Sequence, residues 1–257
     1  MNIKILVATH KKAIMPDNND LYFPVLAGSS KNWVNGILYQ RDDEGQNISR
    51  KNASYSELTA VYWAWKNLPE NIDAVGLIHY RRIFITKSHK LVDQNFLERK
   101  FDKFDILVPK KRRYYIETNY FHYIHAHEGE PIEILQTIIK KHYPDYLSSF
   151  DKVMNSRSAH MFNMFIMKRP FFNEYCAWLF GILRRVELNI DITDYSQEEK
   201  RVFGFLSELL LDVWIIKNNL QKQTTEIAWQ QLGKSHAFKK IIYMIGRKFG
   251  FHLKTHF

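Results

Sequence analysis

The sequence predicts an α/β fold, a mostly parallel central sheet flanked by helices, with a helical C-terminal part. Three observations lead there. Short apolar runs rich in β-branched residues recur through the first ~110 residues, and each ends in a polar, basic tip. Helical patterns separate these runs, which is the strand–helix–strand alternation of a parallel sheet. Beyond Pro170 the apolar residues recur mainly at helical spacing.

Ile3 to Ala8 is the first expected strand, and it ends at Thr9-His10-Lys11-Lys12. From Ala13 to Asn52 the chain carries Pro16, Asp17-Asn18-Asn19-Asp20, Gly28-Ser29-Ser30 and Asp42-Asp43-Glu44-Gly45. This is a turn-rich stretch with little sustained periodicity, and a long loop in a compact domain is expected to border a site. Ser54 and Glu57 have capping-box spacing, so a helix is expected with Leu58, Val61, Tyr62 and Trp65 on its apolar face, ending at Pro69. Asn47, Asn52 and Glu57 near its start are either caps or sugar contacts. Asp73 to Ile78 is the next strand and runs into His79-Tyr80-Arg81-Arg82. Ligands gather at the carboxyl ends of strands in open α/β sheets, so this tip is a candidate anion site. Adjacent arginines alternate sides on an extended backbone, so only one of the two need face the ligand. A helix from Val92 to Phe101 and a strand from Phe104 to Val108 follow, ending at Pro109-Lys110-Lys111-Arg112-Arg113 on the same expected edge as Lys11 and Arg81.

The segment from Glu117 to His127 is dense in aromatics and histidines, including Tyr120, His122, His125 and His127. Their spacing does not match a familiar zinc pattern. Stacking on a sugar face, with imidazoles bonding hydroxyls, is the functional alternative to ordinary surface packing. Pro131 opens a helix that runs to Tyr143-Pro144, and a second helical piece spans Tyr146 to Val153. Met161 to Met167 is expected as a strand, with Asn163 as a lone amide that needs a partner, a ligand hydroxyl being one. Helices are expected from Pro170 to about Leu188 and from about Gln197 to Asn218, joined by a loop at Asp191 to Ser196. On the second, Arg201, Glu208 and Asp212 fall together at spacings of seven and four, with Gly204 opening space beside them. Glu208 is either a general base or a carboxylate paired with Arg201. Thr225 to Trp229 is a last expected strand, which gives one domain over residues 1–232. The tail, 233–257, is basic and amphipathic, with aromatics. It fits either an anionic membrane surface or docking on the protein's own core.

The 257 residues carry a formal charge of +10, which points to anionic partners. With 46% apolar residues, a substantial core is expected. The single cysteine, Cys176, excludes an internal disulfide framework and sits among apolar neighbours, so it is expected in the core and the chain in a reducing cytoplasm. The run Ile5-Leu6-Val7-Ala8 is too short for a signal-peptide core, and no stretch approaches a membrane span, so any membrane contact is expected to be peripheral.

Several motifs in order resemble a known family. They are Val7-Ala8-Thr9-His10-Lys11, Asn47-Ile48-Ser49 with Lys51-Asn52, Glu57-Leu58-Thr59, Tyr62-Trp63-Ala64-Trp65-Lys66-Asn67, Gly76 through Arg82, and Arg201 through Glu208. Together they are similar to the DUF4422 family, bacterial glycosyltransferases of capsule, exopolysaccharide and O-antigen clusters, some of them galactofuranosyltransferases. The resemblance covers about residues 3 to 230 and leaves out the basic tail. It implies a GT-A-like domain that takes a UDP-sugar, best matched by galactofuranose or galactose, and a lipid-linked oligosaccharide acceptor at the inner face of the bacterial plasma membrane. GT-A enzymes commonly hold a divalent metal on Asp-x-Asp at the end of a central strand. Here that place holds His79-Tyr80-Arg81, so no metal ligand is expected unless His79 serves as one. No permanently bound cofactor is expected.

On this reading Thr9, His10, Lys11, Asn47, Asn52, His79, Tyr80, Arg81 and Arg82 form the donor side. Tyr120, His122, His125, His127 and Asn163 form the acceptor side, and Glu208, then Asp212, is the catalytic base of an inverting transfer. The competing classes are a basic module for single-stranded nucleic acid, which no recognisable motif supports, and an inactive scaffold of a polysaccharide assembly complex. The oligomeric state is open.

Overall fold

The computed structural model describes residues 1–232. The expected tail, 233–257, lies outside the described residues. In chain order the elements are β1 (Ile3–Thr9), β2 (Tyr22–Leu26), α1 (Ser29–Asn32), β3 (Gln40–Arg41), α2 (Asn52–Tyr55), α3 (Leu58–Asn67), β4 (Ala74–His79) and β5 (Arg82–Ile85). They continue with α4 (Gln94–Phe101), β6 (Ile106–Pro109), β7 (Arg112–Arg113), α5 (Asn119–Ala126), α6 (Glu130–His142) and α7 (Leu147–Asn155). The last are β8 (Ser158–Ala159), β9 (Phe165–Lys168), α8 (Arg169–Glu187), α9 (Val202–Lys217) and β10 (Thr224–Gln231).

The α/β class holds, but the sheet is mixed rather than mostly parallel. Its eight strands run β3-β2-β1-β4-β5-β10-β6-β9, and β9 also pairs with β4. The five strands β4, β5, β10, β6 and β9 therefore close into a ring. The β1–β2, β2–β3, β1–β4 and β6–β10 pairs are parallel, whereas β4–β5, β5–β10, β4–β9 and β6–β9 are antiparallel. Two features cause the mixture. β4 turns back at once into β5, with His79 paired to Arg82 across Tyr80-Arg81, and β9 inserts between β4 and β6 in the opposite sense. Because β9 is antiparallel to both β4 and β6, those two still point the same way, and the basic tips do share an edge.

Alternating side chains serve both faces of the sheet. Leu6, Ala8, Val75 and Leu77 join the larger core with α3 and α6 to α9, while Ile3, Ile5, Val7 and Ile78 join the smaller one under α4. Gly76 lets β9 approach: a Cβ there would lie 2.9 Å from the Ile166 side chain. Cys176 is buried on α8, where burial pushes its thiol well above the usual range.

Three local expectations change. The stretch between Ala13 and Asn52 contains β2, whose burial comes from pairing with β1 rather than from any periodicity of its own. Ser54 caps nothing: its hydroxyl donates to the Lys51 carbonyl, and the helix breaks at Ser56, φ 51°, into α2 and α3. Residues 161–164 precede the strand, with Phe162 and Asn163 at φ 76° and 55°, so Asn163 sits in a left-handed turn.

Candidate active site

The tips of β1 and β4, the start of β5 and the α2–α3 break enclose a cleft of about 360 Å³. Thr9, His10, Asn52, His79, Tyr80, Arg81 and Arg82 line it, together with Ser56, Glu57, Gln197 and Arg201. Thr9 is fixed by its own turn, its hydroxyl donating to the Lys11 carbonyl at 2.7 Å. The His10 ring meets the Tyr80 ring edge-on at 5.7 Å, and the Arg81 guanidinium lies 5.3 Å from the Tyr80 ring centre. Burial lowers the His10 pKa, and the charges of Lys11, Arg81 and Arg201 lower it further. An imidazole that feels three cations reports a positive field, which is what an anionic ligand would meet. Lys11 itself is exposed and is not part of the lining.

The hairpin explains why both arginines line the cleft. Arg81 occupies the turn and Arg82 opens β5, so the alternation expected of an extended chain does not apply. The Arg82 guanidinium sits 4.3 Å from the Phe162 ring centre, and its buried Nε has no hydrogen-bond partner among the described residues. Burial pulls the Arg82 pKa down, and the Glu208 carboxylate opposes that shift.

Glu208 lies on α9, just behind the cleft lining. Burial, and then repulsion from Glu57, push its carboxyl up to about 7, against the pull of Arg82, the Phe162 backbone N–H and Arg112. Arg201 is not its partner. That residue precedes α9 in a tight 3-10 turn and donates from Nε to the Ser56 hydroxyl at 3.1 Å, so helical spacing does not govern where it points. Gly204 leaves room beside this contact, since a Cβ there would lie 3.1 Å from Ser56 Oγ, tighter than an ordinary van der Waals approach.

Asp212, one turn on, is buried and committed elsewhere. Burial raises its pKa, but the His160 side chain and backbone outweigh that and leave it lowered. It accepts from His160 N at 3.0 Å and bonds His160 Nδ1 at 2.5 Å, while His160 Nε2 faces Glu226 at 3.3 Å. His79 is also occupied: its Nε2 meets the Phe162 carbonyl at 2.7 Å, which makes that nitrogen the donor.

Of the other expected residues, Asn52 lines the cleft and donates to Ser56 O at 2.7 Å. It packs against Gly28, φ 66°, where a Cβ would come within 2.5 Å of it. The loop beneath is pinned by buried Asp42, which accepts from the backbone N–H groups of Gly28 and Ser29 and from the hydroxyls of Ser29 and Ser49. Asn47 is exposed outside the lining and shapes its own turn by donating to Asp43 O and Gly45 O.

The acceptor-side group does not gather at the cleft. His122 and His125 both bond buried Glu117, at 3.2 and 3.0 Å, and hold its carboxyl down at about 2. His127 stacks on Phe205 at 3.9 Å beside Glu199, and Tyr120 packs on the larger core from α5. Asn163 spends its amide on protein: Nδ2 donates to Glu57 Oε1 at 2.6 Å and to Gly204 O, and Oδ1 accepts from Ser207.

Residues 4–219 match the profile of a family described as a domain of unknown function, DUF4422. The chain belongs to the DUF4422 family. Among solved structures, the DUF4422 chain is similar to the apo structure of the bifunctional glycosyltransferase WbbM, at 30% identity and a TM-score of 0.80. The similarity covers 91% of this chain and 46% of that one, so the DUF4422 chain spans about half the length of WbbM. No curated protein sequence matches it.

The chemistry of this DUF4422 cleft does not suit a divalent cation. Hard metals need several carboxylate or carbonyl oxygens converging on one point. Here Glu57 is bonded to Asn163, Glu208 faces Arg82, His79 faces Phe162, and two guanidiniums occupy the strand tip. Ser56 and Gln197 were not legible as lining residues, nor were His160 and Glu226 as the partners that occupy Asp212. Ser56 and Gln197 reach the cleft through the α2–α3 break and the turn before α9, and His160 meets Asp212 and Glu226 across long stretches of chain, none of which leaves a local spacing signal.

Proposed function

We propose that this protein is a glycosyltransferase that moves a sugar, best matched by galactofuranose or galactose, from a UDP-sugar onto a growing capsule, exopolysaccharide or O-antigen glycan carried on lipid. The observation that carries the reading is the Arg81-Arg82 hairpin in the cleft lining with Glu208 behind it, a carboxyl raised to about 7 that interacts with Arg82. The likeness to WbbM supports it.

Transfer needs a held leaving group and a base. In the proposed step the acceptor hydroxyl gives its proton to a Glu208 carboxylate oxygen, and its oxygen attacks the anomeric carbon. The bond from that carbon to the diphosphate oxygen breaks with inversion, and UDP leaves with the electron pair. Arg81, Arg82 and Arg201 take up the charge that develops on the diphosphate, with Lys11 at the rim. Guanidinium forks match phosphate oxygens in pairs. Thr9, His10, Tyr80 and Asn52 border the nucleotide and sugar, and His79 works through Phe162.

Thermal shift against a panel of nucleotide sugars that includes UDP-galactofuranose and UDP-galactopyranose tests this. A binder raises the melting temperature by mass action. Arg82→Ala should weaken that donor by about 10- to 100-fold, the range expected for a charge-assisted bond, and transfer should persist in a chelator. A panel without a single shift would overturn the glycosyltransferase reading. Loss of activity in the chelator, restored by Mn²⁺ or Mg²⁺, would overturn the metal-free step.

A further inference from the structure

The residues expected to hold an acceptor lie away from the cleft, yet Glu208 can act as a base only on a hydroxyl that reaches it. The charged groups that act on Glu208 come from two places. Glu57 and Arg82 belong to the cleft lining, whereas Arg112, which also draws the Glu208 carboxyl down, does not.

Backbone pairing sets Arg112 there. β7 runs antiparallel to β8, with Arg112 opposite Ala159 and Arg113 opposite Ser158, and the chain then continues through His160 and Met161 to Phe162. Phe162 is the common neighbour of the whole group. Its N–H faces Glu208, its ring lies 4.3 Å from the Arg82 guanidinium, and the Trp229 ring meets it at 4.7 Å and 70°. Trp229 is held from a second direction, since its Nε1 donates to the Lys110 carbonyl at 3.1 Å, two residues before Arg112. The indole therefore has no N–H left to offer a ligand, only its ring, which Phe162 meets at a steep angle rather than flat. Trp229 and Arg112 are both half-buried. The Arg112 guanidinium lies 5.2 Å from the Tyr114 ring centre, and among the described residues it is bonded to no carboxylate. Glu226, the acid of β10, is engaged by His160 Nε2 at 3.3 Å.

We propose that Trp229 and Arg112 form the subsite for the acceptor sugar, whose ring lays its C–H face on the indole and whose hydroxyls are bonded by the guanidinium. The acceptor then enters beside Arg112 and the donor through the cleft, and the two meet at Glu208 and Arg82. A sugar ring combines a face of C–H groups with a rim of hydroxyls, which suits an aromatic plane set next to a fork of N–H donors. The subsite rests on the transfer proposed above.

The test is saturation-transfer NMR on the full chain loaded with UDP, using the methyl glycosides of galactose, glucose, mannose, rhamnose and N-acetylglucosamine. At least one glycoside should receive saturation on its ring C–H protons. Trp229→Leu and Arg112→Ala should each weaken that binding by about 5- to 10-fold, the worth of one aromatic or charge-assisted contact. Trp229→Phe, which keeps an aromatic face, should retain most of it. UDP should raise the melting temperature of wild type and of all three variants alike, because neither residue lines the cleft. Unchanged glycoside binding in Trp229→Leu or Arg112→Ala, equal loss in Trp229→Leu and Trp229→Phe, or no glycoside bound by a wild type that binds UDP would overturn the subsite and leave the transferase reading standing. Loss of the UDP shift in the variants would overturn it in favour of a structural role for both residues. A wild type that binds neither UDP nor any nucleotide sugar would overturn both readings.

Discussion

Glu208 and Asp212 sit one helical turn apart, and their surroundings push them in opposite directions. Glu208 is half-buried, and desolvation and then Glu57 bring its carboxyl to about 7 against the pull of Arg82, where a base is half ready at neutral pH. Asp212 is tied to His160 through backbone and ring and is held as an anion. The two variants should therefore separate. Glu208→Gln should lower transfer by about 10²-fold or more while donor binding holds. In the wild type, transfer should fall as the pH drops below about 7, as Glu208 takes up its proton. Its stability effect has the other sign. Between the ordinary carboxylate range and about 7 the folded state holds a proton that the unfolded chain has lost, so this group costs stability as pH rises through that window. Glu208→Gln removes the cost. It should stabilise the fold at pH 8, on the order of 1–2 kcal/mol given the group's partial exposure, and have little effect at pH 5. Asp212→Asn should do the reverse and destabilise the fold by about 1–3 kcal/mol in urea unfolding at pH 7.

At the scale of elements, the turn at Phe162-Asn163 couples β9, α9 and β5. The Phe162 ring lies under Arg82, its N–H faces Glu208, its carbonyl meets His79, and Asn163 ties Glu57 to Gly204 and Ser207. Two successive residues at positive φ are costly outside glycine and asparagine. Asn163→Gly keeps the backbone and removes the amide bonds, so it should lower turnover more than it lowers stability. Asn163→Ala should add a further ~1 kcal/mol of destabilisation, visible as a lower melting temperature than the glycine variant. This turn also marks the boundary of what was legible. α6 and α8 were readable because Pro131 and Pro170 open long apolar stripes. β1 and β4 were readable because a buried strand needs an unbroken apolar run. The turn, the α2–α3 break and β2 owe their conformation to partners at least 12 residues away in the chain. Local pattern carries no record of such partners.

At the scale of the molecule, the α/β class and the clustering of basic tips followed from strand–helix–strand order, whereas the mixed sheet did not, because pairing between β9, β4 and β6 is set by assembly. Most of the residues proposed for the donor side line one cleft, and those proposed for the acceptor side do not. Strand β10 belongs to the end of the described chain yet sits inside the sheet, bonded to β5 on one side and β6 on the other, and Leu232 N–H then donates to Arg81 O at 2.8 Å. A chain ended at residue 223 should lack a cooperative melting transition, and a chain ended at residue 232 should retain one, as calorimetry would show. During synthesis, then, a ribosome that has delivered the first 220 residues has made every proposed catalytic side chain and still no working site. The arginine hairpin acquires its last backbone restraint only when β10 emerges, so a nascent chain should remain without donor affinity, and dependent on protection from aggregation, until residue 232 has cleared the ribosome.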